Sequence, residues 1–119
     1  MRLALAIVAV LFLVLLAGGG PALAHHGWGD YDVQRRLVLE GEILVLDYAY
    51  PHVSIELKDG DKTWHVVLAP PSRMERRGIY PDDLVVGQVL QVMGYPSKTE
   101  VDEMRAESIT LNDQTVPMR

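Results

Sequence analysis

From Leu37 onward, apolar side chains return at every second position in short runs, and each run is cut off by proline, glycine or paired polar residues. A period of two places alternate side chains on opposite faces of an extended chain, so the runs read as half-buried strands and the domain as all-β. The first run, Leu37 to Tyr48, sets Leu37, Leu39, Gly41, Ile43 and Val45 on one face and Glu40 and Glu42 on the other. Its second face then turns apolar at Leu44 and Leu46. A long strand that changes character around a central glycine is expected to be bent or bulged and shared between two parts of a curled sheet. Tyr50-Pro51 ends it, because proline cannot donate to a ladder.

The remaining runs follow the same logic. His52 to Lys58 points Val53, Ile55 and Leu57 inward and His52, Ser54 and Glu56 outward; Asp59-Gly60-Asp61 reads as a hairpin turn, and Lys62 to Leu68 returns with Trp64, Val66 and Leu68 inward. Pro70-Pro71 stops that strand, and Ser72 is expected to cap a short helix from Arg73 to Arg77 that Gly78 terminates. Gln88 to Tyr95 and Met104 to Leu111 supply a fourth and a fifth strand, and Thr115 to Met118 a short edge. Three strands, one short helix and two more strands, with a long bent first strand, is the order of a small five-stranded OB-like barrel. A flat meander with the helix on its side is the other arrangement these elements allow.

What precedes the barrel is of a different kind. Leu3 to Ala17 is wholly apolar, with Arg2 before it and Gly18-Gly19-Gly20-Pro21 and the small-x-small site Ala22-Leu23-Ala24 behind it. That order predicts a signal peptide over residues 1–24, cleaved after Ala24, and so a periplasmic or secreted protein with no stable membrane insertion after cleavage. Fifteen apolar residues fall short of the roughly 20 that a spanning helix needs. The expected mature chain has an N-terminal arm over 25–36 and the barrel over 37–119. Losing Arg2 moves its formal charge from −5 to −6, and no basic stripe is present, which argues against nucleic acid as a partner. With no cysteine, neither a disulfide framework nor a thiolate metal site is available, and stability has to come from a packed core.

Cleavage after Ala24 makes His25 the first residue. Its free α-amine and its own Nδ1 can then close a chelate ring on one metal ion, which no internal histidine can do. Imidazole and amine nitrogens suit Cu(II) best among divalent ions, so the expected cofactor is copper. The site chemistry resembles the histidine brace of periplasmic copper carriers and of polysaccharide-cleaving copper oxygenases. A further nitrogen can come from His26 locally, or from His52 or His65, which the alternation places outward on neighbouring strands. His52, read as the first residue of its strand behind Pro51, is expected to be the better fixed of the two. The plainer reading is a polar terminus and surface strands that happen to carry histidines. Asp30 and Asp32 are possible acceptors for imidazole N–H groups, and otherwise a solvated acidic loop.

Several features run nearly the whole mature length in a fixed order: His25-His26-Gly27-Trp28, Tyr31-Asp32, Pro51-His52-Val53, Arg76-Arg77-Gly78, Leu84 with Gly87, Gly94-Tyr95-Pro96 and Arg105-Ala106. In these the chain resembles a group of small exported bacterial proteins known only as a domain of unknown function. It departs from that pattern at Tyr50, where asparagine is usual, and at Trp28, where phenylalanine is usual. The resemblance implies export and a small β-barrel, and no activity.

Two functional expectations follow. The first is a non-enzymatic metal-binding protein anchored by His25, with His52 as its foremost second ligand. The alternative is a binding module for a small molecule, a glycan or an envelope protein, in which Trp28, Tyr48, Tyr50 and Tyr95 line a groove. No nucleophile motif, phosphate loop or HExxH helix is present. A copper-dependent oxidase would need a flat substrate surface and an open coordination position, for which the sequence offers no sign.

Overall fold

The long first strand dominates the architecture. In the structure, a computed structural model describing residues 27–119, strand β1 (Leu37–Asp47) lies between β2 (Ser54–Asp59) and β4 (Val89–Pro96), antiparallel to both. The leader, its cleavage site, His25 and His26 lie outside the described residues. A register shift between Ile43 and Val45 marks a bulge in the pairing with β2. It corrects one detail of the alternation: Ile43 is fully buried, but Val45 turns outward and Leu46 packs against the core in its stead. The extra residue in a bulge reverses the facing of everything after it.

β2 returns as β3 (Lys62–Val67) through a turn of two residues, Gly60 and Asp61, so that Asp59 pairs with Lys62 and Glu56 with His65. β3 then runs parallel to β5 (Glu103–Leu111), and β5 pairs with β4. The circuit β1-β2-β3-β5-β4-β1 is a closed five-stranded barrel of OB-like order, and closure leaves few open edges. A sixth strand, β6 (Gln114–Pro117), folds back on the end of β5 through Asn112 and Asp113, both at positive φ, as a two-residue hairpin turn requires.

Ile43, Ile55, Leu57, Val66, Leu90, Val92, Met104 and Ile109 fill the interior, and helix α1 (Pro71–Arg76), between β3 and β4, adds Met74. Ser72 does not cap this helix: Pro70 is the N-cap and Pro71 opens the first turn, with no side-chain cap bond. Proline carries no N–H to satisfy and its φ already suits the helix, so the start needs no hydroxyl. Gly78, at φ +83°, ends it as expected. Among the described residues no helix is long and apolar enough to cross a membrane.

Candidate functional site

The arm before β1 is anchored to the barrel wall. Trp28–Asp30 form a single 3-10 turn, Tyr31 makes an isolated bridge with Ser97, and the Asp32 N–H donates to the Pro96 carbonyl at 2.9 Å. Tyr31 is only 3% exposed, and its hydroxyl donates to Glu103 Oε1 at 2.9 Å. Burial, reinforced by that bond to a carboxylate, pushes the Tyr31 phenol far above its ordinary pKa, so it stays a donor.

Trp28 lies against two guanidinium groups, with Arg105 Cζ 4.5 Å and Arg119 Cζ 4.4 Å from its ring, and meets Tyr95 edge to face at 6.3 Å. Arg105 is the one buried charged residue of the described chain, 7% exposed, and Tyr31 lies on it as well, at 6.0 Å. Burial lowers its pKa, yet a guanidinium stays protonated at any ordinary pH, so the aromatic faces take up part of the role of water. Its Nη2 lies 3.3 Å from His52 Nε2. Guanidinium can only donate, so His52 accepts there and its ring proton sits on Nδ1.

His52 is not on β2, which begins at Ser54; it sits in the connection from β1, after Pro51. It shares a groove of about 340 Å³ with Tyr31, Asp47, Tyr50, Ser54, His65 and Glu103. The groove lies along the outer face of β2 and β3, the face with which OB folds commonly meet ligands. His52 and His65 thus face the same space without being partners in the ladder. The partner of His65 is Glu56, whose Oε1 is 2.8 Å from His65 Nδ1.

The four aromatics do not make one surface. Tyr50 borders the groove and is 72% exposed, whereas Tyr48 donates to the Ile79 carbonyl at 2.8 Å and packs against the core. Trp28 and Tyr95 belong to the arginine cluster, where the Tyr95 hydroxyl bonds Glu107. Asp32 accepts from the Gln34 N–H in a local turn. The sequence reading missed Tyr31, Glu56, Glu103 and Arg105. The Glu56–His65 pairing follows from a two-residue turn, but the burial of Arg105 depends on an arm that has no periodicity.

Among the described residues, no group of three or more histidine, cysteine or acidic side chains is arranged to hold a metal ion. His52 and His65 are the two histidines of the groove, and His25 and His26 lie outside the described residues. A family model, described as a family of unknown function (DUF6152), matches residues 12–104. No curated protein matches the chain.

Proposed function

Since the chain belongs to a family of unknown function, DUF6152, we propose from its own residues that it is an exported protein that binds a copper ion through the amine and ring of His25. An imidazole from the groove completes the site. One observation carries this reading: Trp28 is stacked on Arg105, and Arg105 touches His52. The stack fixes where the arm leaves the barrel. From Trp28 back to His25 is three residues, a reach of up to roughly 10 Å, and the contact of Arg105 with both Trp28 and His52 supports a site that draws on the groove. An amine and two imidazoles form a nitrogen set that Cu(II) favours in tetragonal geometry. His26 offers a local alternative for the third nitrogen.

A second reading keeps the groove and dispenses with the metal. Asp47, Ser54, Glu103 and the exposed Tyr50 offer hydrogen-bonding groups and a ring face to a small polar molecule, a glycan or a segment of an envelope protein. One comparison separates the two. A protein with a single extra residue before His25 keeps every side chain and loses the chelate. The metal reading expects its Cu(II) affinity, measured by competition with a chelator, to fall at least tenfold below that of the protein beginning at His25. Equal affinities would turn the assignment to the binding module.

A further inference from the structure

His65 and Glu56 face each other across the β2–β3 ladder on the outer side of the barrel, with Nδ1 and Oε1 2.8 Å apart. An ionised carboxylate only accepts, so the proton of this bond belongs to Nδ1. In the neutral ring Nε2 then keeps its lone pair, on a side chain that borders the groove. Metal-ligating histidines commonly give their second ring N–H to a carboxylate, which fixes tautomer and ring plane and makes the ligating nitrogen more basic.

His52 is in the opposite state. Its Nε2 takes a hydrogen bond from Arg105, a buried cation that an incoming metal ion would have to approach and displace. From this contrast we infer that His65, positioned by Glu56, is the groove imidazole that meets the metal, while Arg105 keeps His52 out of the coordination sphere. The inference rests on the metal reading above and reverses the order in which the two histidines rank from sequence. Tyr31 and Glu103 complete the wall: Glu103 is the ladder neighbour of His65 on β5, and the Tyr31 hydroxyl holds its carboxylate. The arm that carries His25 is therefore bonded to a residue adjacent to His65.

The test uses the protein beginning at His25, titrated with Cu(II) against a competing chelator and observed by electron paramagnetic resonance. The side chains of His65 and Glu56 are 43% and 35% exposed, so their alanine variants should melt like the parent without metal. Glu56→Ala is expected to weaken Cu(II) binding by about 10- to 100-fold, the usual cost of losing such a partner. Glu56→Gln, which still offers an acceptor oxygen, should recover part of that loss. His65→Ala should weaken binding at least as much and remove one nitrogen from the resonance pattern, whereas His52→Ala should leave both unchanged. Unaltered affinity in Glu56→Ala and His65→Ala would overturn the inference, even where the extra N-terminal residue weakens binding and so upholds the metal reading. Loss with His65→Ala but none with the extra residue would keep His65 as a ligand and remove His25. Failure of the parent to bind Cu(II) at all would remove both.

Discussion

The Tyr48 hydroxyl, at the end of the first strand, donates to the Ile79 carbonyl just beyond the helix and ties two distant parts of the chain with one bond. Burial raises its pKa, and the nearby carboxylates of Glu75 and Asp83 raise it further. The folded chain thus holds this proton more tightly than the unfolded chain does. The resulting stability is fully present below the unfolded value near 10 and is lost as pH climbs through the raised one. Tyr31 acts in the same direction, since burial and Glu103 raise its pKa too. Stability from denaturant titrations should accordingly hold level from pH 7 to 9 and decline above about pH 10. Tyr48→Phe should lose about 1 kcal/mol at neutral pH and decline less steeply in alkali. An unchanged alkaline slope would show that Tyr48 does not contribute to it.

At the scale of elements, β1 has to curve enough to pair with β2 at one end and with β4 at the other. Gly41 sits where the pairing passes from one neighbour to the other: a Cβ there would lie 1.9 Å from the Lys58 carbonyl oxygen, and one at Gly94 would lie 2.0 Å from that of Arg105. The obstacle in each case is backbone, which no rotamer change relieves. Gly41→Ala should therefore cost about 2 to 3 kcal/mol or more, read as a lower denaturation midpoint, whereas Gly29→Ala, with nothing within 4 Å, should cost little. Alternation made the strands and their order legible, and the glycine within Leu37–Asp47 announced a bend. It did not locate the bulge, because Val45 and Leu46 are both apolar and either could face inward. Asp59 was equally ambiguous, as a turn residue or as the last rung of β2, and that choice decides whether Glu56 stands opposite His65. Arg105 looked like an ordinary charged residue of a strand because what buries it lies far away in the sequence.

For the whole molecule, the stack of Trp28 on Arg105 and Arg119 joins the arm, β5 and the segment after β6 at a single point. Each ring contact of this kind is worth roughly 0.5 to 2 kcal/mol, too little to decide whether the barrel folds. Its larger effect is on local concentration. With Trp28 in place, three residues separate the nearest anchor from His25; without it, the next anchors are the Gly29 and Asp30 carbonyls, which accept from Lys98 Nζ and the Lys98 N–H, four and five residues away. The effective concentration of a tethered ligand falls roughly as the −3/2 power of tether length, so lengthening the tether from three residues to four or five dilutes the N-terminal nitrogens at the groove about 1.5- to 2-fold. Trp28→Ala should thus weaken Cu(II) binding about twofold, chiefly through slower recapture, while His65 and Glu56 stay where they are. A peptide copying residues 25–28 alone should gain nothing from its tryptophan, because the gain comes from having somewhere to be fastened.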